Sequence, residues 1–342
     1  MASFLVACTQ EQQNLDSLND HWYLTHKGAN LPVQVEGNLS SGVAVVVLHG
    51  GPGGDATTYN ELTRTFSDSL EKEFAMVYYD QRGAGVASGK YSSLEFNVNQ
   101  HVDDLRVLLN AIMLRYGKPL KFFLMGHSWG GTLGTAFLVQ EENQKMVSGW
   151  IEVDGAHNFS ATQEIGEHFM TIGGEMVAQG HSVDFWTEAM EFVEEMDTAS
   201  DVDVSTLNQY GYDTEGYLAK DGFLAGEDLS ANLLHMQYFT KYNGVSASMS
   251  LFTSSSGLGM FDELRFTDFT DQLHKITVPC LFLWGKYDFV VPPALGYEAF
   301  RKVGTPNKEK AMYLFEASGH SPMINQPEIF GKTMKEWIKE RL

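Results

Sequence analysis

"FFLMGHSWGGTLG", residues 122–134, decides how this chain is read. An apolar run of strand character ends at Gly126, and a single serine, Ser128, then stands among four glycines. Such a segment can be a tight turn, a phosphate-binding loop or the seat of a catalytic nucleophile. A phosphate loop is disfavoured, because no G-K-[ST] follows the glycines. Gly126-His127-Ser128-Trp129-Gly130 fits G-x-S-x-G directly after a strand and before a helix. That is the setting of a nucleophile elbow, a sharp turn that lifts the serine hydroxyl clear of a sheet. Glycines flank the serine there because the backbones approach too closely for a Cβ.

Outward from this point the chain alternates short β-branched or aromatic runs with longer amphipathic segments, the pattern of a mostly parallel sheet flanked by helices. Strands are predicted near 43–50, 74–80, 121–126, 147–154, 278–285 and 311–317, with an N-terminal hairpin over about 22–37. Val102, Leu105, Leu108, Leu109 and Ile112 recur at helical spacing within 99–116, and 131–141 and 327–340 also read as helices. The rhythm breaks once, over 155–272, where the sequence is helical, irregular and rich in Met and Phe. This predicts a helical lid inserted between two late strands, over the strand ends where open α/β sheets bind ligands. The expected organisation is a flexible tail over 1–20, a core from 21–154 and 273–342, and the lid over 155–272.

The chain has 342 residues and a formal net charge of −21, which argues against binding nucleic acid or an anionic membrane surface. Within 155–272, twenty acidic residues face three basic ones, Lys220, Lys241 and Arg265, so most of the charge sits in the lid. In "WTEAMEFVEEMD", Trp186, Met190 and Val193 can face inward while Glu188, Glu191, Glu194 and Glu195 face water. No stretch approaches the roughly 18–20 apolar residues of a transmembrane helix. The two cysteines, Cys8 and Cys280, do not make a disulfide framework, and no Cys/His spacing signals zinc, so no metal or cofactor is expected. "FLVAC" (Phe4 to Cys8) resembles a lipoprotein lipobox without a basic n-region before it. The expectation is therefore either a cytoplasmic chain as written, or an extracytoplasmic lipoprotein anchored through Cys8 if the true start lies upstream.

A serine hydroxyl needs a base, and the base an orienting acid, which in this architecture follow in the order Ser, Asp or Glu, His. Asp288 in "WGKYDFVVP" and His320 in "EASGHSP" each follow a predicted strand, at the same sheet edge as Ser128. Asp154, which ends the strand "WIEV", is the competing acid, or else a cap at the start of the lid. An oxyanion hole requires two backbone donors. Trp129, after the nucleophile, and Gly51 in "HGGPGG" (49–54) are the candidates.

With "HGGPGG" at 49–54, "DQRGAG" at 80–85 and "GHSWGG" at 126–131, the chain resembles the proline iminopeptidase-like branch of the α/β-hydrolases. The resemblance implies an α/β-hydrolase fold and a Ser128–His320–Asp288 triad, with Asp80 and Arg82 bracing the loops around the site. Members of that family hold the substrate's free amine with lid glutamates, one in a segment like I-E-N-H-Y-F. The nearest match is "LHMQYF" (234–239), with His235 where the glutamate would fall. Three functions are therefore weighed: an aminopeptidase acting on short peptides, an esterase or lactonase for small acyl groups, and a non-catalytic small-molecule receptor. The filled catalytic positions speak against the last, and oligomeric state is left open.

Overall fold

The computed structural model describes residues 14–117, 119–226, 234–236 and 260–342. Cys8, and with it the lipobox reading, lies outside the described residues.

Nine strands form one sheet in the order β1-β2-β4-β3-β6-β7-β8-β9, with β5 (Ser88–Gly89) pairing β2. Its edge is the hairpin of β1 (Leu18–His26) and β2 (Ala29–Gly37), antiparallel to each other, and β2 is antiparallel to β4 (Ala75–Tyr79). Lys27 and Gly28 join the hairpin, both at positive φ (40° and 76°), as a two-residue turn matched to strand twist requires. β1 begins at Leu18, within the stretch 1–20 set apart from the core in the sequence reading.

From β4 onward the sheet is parallel, through β3 (Val43–Leu48), β6 (Lys121–His127), β7 (Gly149–Val153), β8 (Cys280–Gly285) and β9 (Lys310–Phe315). β3 is "VAVVVL" and wholly buried, as an interior parallel strand covered on both faces must be. Its side chains alternate between two cores: Ala44, Val46 and Leu48 join one, Val43, Val45 and Val47 the other. α1 (Arg64–Glu71) and the C-terminal helix Pro327–Lys339 pack together on the second side. α2 (Val98–Tyr116) and α3 (Trp129–Leu138) cover the first. α2 is capped by the Asn97 side chain and stopped by Gly117 in the left-handed region, with Val102, Leu105, Leu108, Leu109 and Ile112 buried as the periodicity predicts.

Beyond the short α4 (Glu141–Gln144) and β7, the chain leaves the sheet for α5 (Thr162–Gln179), α6 (Val183–Glu195) and α7 (Asp201–Lys220), and returns at β8. These helices enclose a core of their own, built on Phe169, Trp186 and Leu207, which also takes in Tyr287 and Phe289 from the loop after β8. The Phe289 ring centroid lies 4.7 Å from Phe169 and 5.3 Å from Trp186. The lid helices are thus seated on the two aromatics that flank Asp288. On α6 the four glutamates Glu188, Glu191, Glu194 and Glu195 are exposed and Trp186 is buried.

Candidate active site

Ser128 lies between β6 and α3 with φ 56° and ψ −120°, a backbone conformation that a non-glycine residue adopts only under constraint. The constraint is local and identifiable. The Ser128 N–H donates to the Val153 carbonyl at the end of β7, 3.1 Å away. α3 then starts at once, with its first turn against the end of β3; a Cβ on Gly130 would run into the Leu48 carbonyl oxygen. The helix begins at Trp129, two residues before the predicted start, because the whole reversal is made within one residue.

Asp288 and His320 meet across the loops after β8 and β9. His320 Nδ1 lies 2.8 Å from Asp288 Oδ2, so the proton is on Nδ1 and the carboxylate accepts it. Asp288 is fully buried, and its Oδ1 accepts the Val290 and Val291 N–H groups, each at 2.8 Å. His320 Nε2 is buried with no hydrogen-bond partner among the described residues. Burial works to lower the His320 pKa, but the Asp288 carboxylate, and after it the Glu215 charge, outweigh burial and leave it above the ordinary imidazole value.

Asp154, the second acid weighed from sequence, serves a different purpose. Its Oδ1 accepts the Gly285 N–H at 2.9 Å, tying the end of β7 to the end of β8. Complete burial, reinforced by the neighbouring Asp288, pushes its carboxyl pKa well above the usual carboxylate range. Of the two, Asp288 has the more backbone donors, and it has the histidine.

The glycine-rich loop after β3 lies against the elbow: a Cβ on Gly50 would sit 3.3 Å from the Ser128 Cβ. The Gly50 N–H is taken by the Tyr59 hydroxyl at 2.9 Å, whereas neither Gly51 N–H nor Trp129 N–H has a partner among the described residues. Asp80 and Gln81 of "DQRG" bond to this loop and its flanks. Asp80 accepts the Ala56 and Val86 N–H groups at 2.8 and 2.7 Å. Gln81 donates its backbone N–H to His49 Nε2 and accepts the Trp129 indole N–H. Arg82 is buried, paired through Nε and Nη2 with the Asp104 carboxylate at 2.9 Å each. Arg82, expected to brace the loops around the site with Asp80, is tied to α2 and, through the His26 and Lys27 carbonyls, to the β1–β2 turn.

Three residues around His320 were not singled out in the sequence reading. Glu215, on α7, accepts the His320 backbone N–H at 2.8 Å. His127, inside the elbow motif itself, reaches the His320 carbonyl oxygen with Nε2 at 2.6 Å. Tyr59 meets His127 Nδ1 at 2.6 Å. Glu215 had a faint cue: it lies four residues after Gly211 on α7, beside the buried stripe of Leu207, Gly211, Thr214 and Leu218. Tyr59 had none. His235, where the family's amine-binding glutamate would fall, lies 3.4 Å from Glu61, and Gln237 to Phe239 are outside the described residues. Among the described residues no cluster of three or more His, Cys, Asp or Glu could hold a metal ion, and no helix is long and apolar enough to cross a membrane.

The sheet order and an elbow at the end of β6 define an α/β-hydrolase. The family model for serine aminopeptidase, S33, matches residues 41–213, and the chain belongs to that family; it is an enzyme of the serine hydrolase class. The probable aminopeptidase YbaC of Bacillus subtilis (strain 168) is 27% identical over 305 residues, covering 87% of this chain and 89% of the relative. A proline iminopeptidase of Saccharolobus solfataricus is 23% identical over 301 residues, covering 86% and 84%. Among solved structures, the proline iminopeptidase-related protein TTHA1809 from Thermus thermophilus superposes with a TM-score of 0.57 at 21% identity, covering 95% of this chain and all of that one.

Proposed function

We propose that the chain is an aminopeptidase that releases a small N-terminal residue from short peptides or amides through an acyl-enzyme on Ser128. The observation that carries this reading is the His320 imidazole, held at Nδ1 by Asp288 and presenting beside the elbow a buried Nε2 with no partner among the described residues. Ser128 Oγ attacks the acyl carbon as His320 Nε2 takes its proton, and the imidazolium returns that proton to the leaving amine. Gly51 and Trp129 N–H groups receive the oxyanion; each such donor is worth on the order of 10²–10³ in rate. Water, activated by His320, then releases the acyl group.

The preference for an amine terminus rests on Glu215. This lid carboxylate reaches the base loop with one oxygen and leaves the other for a substrate ammonium, in a lid of strongly negative charge. A second reading, hydrolysis of small esters, is favoured by one feature: His235 stands where a second amine-binding carboxylate would be.

Steady-state hydrolysis of prolyl- and alanyl-naphthylamides beside p-nitrophenyl acetate and butyrate separates the two. Amide cleavage that N-acetylation of the substrate abolishes is the expected result, and ester turnover alone would replace the peptidase reading with the esterase. In either case Ser128→Ala should abolish turnover; retained activity would overturn the nucleophile assignment.

A further inference from the structure

His320 is gripped at more than its ring. Asp288 holds Nδ1, Glu215 holds the backbone N–H and His127 holds the backbone carbonyl. The last grip belongs to a longer chain of bonds. A carbonyl oxygen only accepts, so His127 Nε2 carries a proton and donates it to the His320 oxygen at 2.6 Å. His127 Nδ1 is then the acceptor, and the Tyr59 hydroxyl donates to it at 2.6 Å. The same hydroxyl accepts the Gly50 N–H at 2.9 Å. Each group has a single consistent role. His127 and Tyr59 are buried, and burial keeps the imidazole neutral, its pKa lowered to about 3.

We propose that Tyr59 and His127 form a positioning strut that fixes the base loop relative to the oxyanion loop across the nucleophile elbow. This rests on the reading of Ser128, His320 and the Gly51 donor above. The strut starts at Gly50, next to that donor, passes through the residue preceding the nucleophile, and ends on the backbone of the base. Tyr59 also helps set the His127 tautomer: without its hydroxyl, only the His320 carbonyl favours the proton on Nε2, Nδ1 is left without its donor, and the grip on the His320 carbonyl loosens. Neither residue touches the reacting atoms, so both act through others. The loss should therefore appear in the chemical step rather than in substrate affinity.

The test uses the full chain with Tyr59→Phe, His127→Gln, His127→Asn and the double variant Tyr59→Phe/His127→Gln. A fluorophosphonate probe counts active serines, so that kcat is expressed per competent site. Tyr59→Phe should lower kcat roughly tenfold or more, with KM changed less than about threefold, since small misplacements of reacting groups act on the rate. Gln presents an N–H where Nε2 stood but no acceptor at Nδ1; Asn cannot span to the His320 carbonyl. His127→Gln should therefore retain more kcat than His127→Asn. In His127→Gln the Tyr59 hydroxyl has already lost its acceptor, so adding Tyr59→Phe should cost less than it does alone, and in the double variant the two losses should fall short of multiplying.

A purely structural role would instead lower Tm and the fraction of titratable serine while leaving kcat per site unchanged, and that result overturns the proposal. So does a change confined to KM, or losses that multiply fully. If the His127 variants fail to fold, Tyr59→Phe, which deletes one oxygen, decides alone. Failure of the underlying reading looks different: the wild type escapes the probe, or Ser128→Ala keeps its turnover, and the strut falls with it.

Discussion

At the scale of single residues the site is governed by where protons are allowed to sit. Burial and the neighbouring Asp288 push the Asp154 carboxyl pKa up, while the Asp288 carboxylate, and after it Glu215, raise the His320 pKa above the ordinary imidazole value despite burial. The groups facing His320 are Asp288, Glu215, neutral His127 and the Tyr212 ring 6.3 Å away. As the proposed base, His320 would have to be unprotonated to accept the serine proton, so kcat/KM should rise with pH through a midpoint above about 6.5. Glu215→Gln keeps an oxygen for the His320 N–H but removes a negative charge that favours the imidazolium, so the acid limb should move to lower pH. Profiles on two substrates read this out. With p-nitrophenyl acetate only the limb should shift, and with a free-amine naphthylamide KM should also rise. A limb that stays in place would deny Glu215 its electrostatic effect on the base.

Among the elements, β7 carries an oddity in mid-sheet. Glu152, paired with Gly126 on β6 and Phe282 on β8, is buried; its Oε2 accepts the Trp150 indole N–H at 3.2 Å and its Oε1 has no partner among the described residues. Burial pushes its pKa up to about 8, against 4.5 for a free glutamate. Between those values the folded state holds a proton that the unfolded chain has released, so stability should fall as pH rises from about 4.5 to about 8, by on the order of 1 kcal/mol per pH unit. Glu152→Gln has nothing to titrate there. Denaturant melts from pH 5 to pH 8 should find the variant gaining on the wild type as pH rises, and parallel curves would refute the buried-acid account. The same strands explain what the sequence could and could not reveal. β3 was legible because a strand buried on both faces reads as an unbroken apolar run, and the elbow because its backbone geometry demands glycine at fixed spacing. β8 begins at Cys280 rather than at Val278, since Pro279 has no N–H to give the ladder, although its carbonyl still accepts from Trp150. Asp288 and His320 were placed by chain order. Tyr59 was invisible, because its partner His127 lies 68 residues away and no local pattern encodes such a contact. Glu215 was hidden among lid carboxylates that differ from it only in which way α7 turns them.

For the molecule as a whole the decisive property is where the charge lies. The net charge is −21, and residues 155–272, with twenty acidic and three basic residues, supply most of it; the described helices of that segment, α5 to α7, pack against Tyr287 and Phe289 beside Asp288. Most of these carboxylates are exposed helix-face residues that individually add little to stability. Their summed field is another matter, because a one-signed surface around a concave site concentrates counter-charged ligands and speeds their encounter. A peptide with a free N-terminal ammonium is drawn toward that field; a neutral ester is indifferent to it. Salt at about 1 M shrinks the screening length to about 3 Å, against about 10 Å at 0.1 M, and should remove long-range attraction while leaving contacts inside the site largely intact. Raising ionic strength should therefore lower kcat/KM for alanyl-naphthylamide several-fold, through the apparent affinity, with kcat unchanged and p-nitrophenyl acetate hydrolysis flat. Replacing Glu188, Glu191, Glu194 and Glu195 by Gln, all exposed on α6 and remote from the base loop's hydrogen bonds, should reproduce part of that loss at low salt without affecting the ester. Equal salt sensitivity for the two substrates would mean that the acidity of the lid serves solubility alone, and that selection of a cationic terminus is left to Glu215 at contact range.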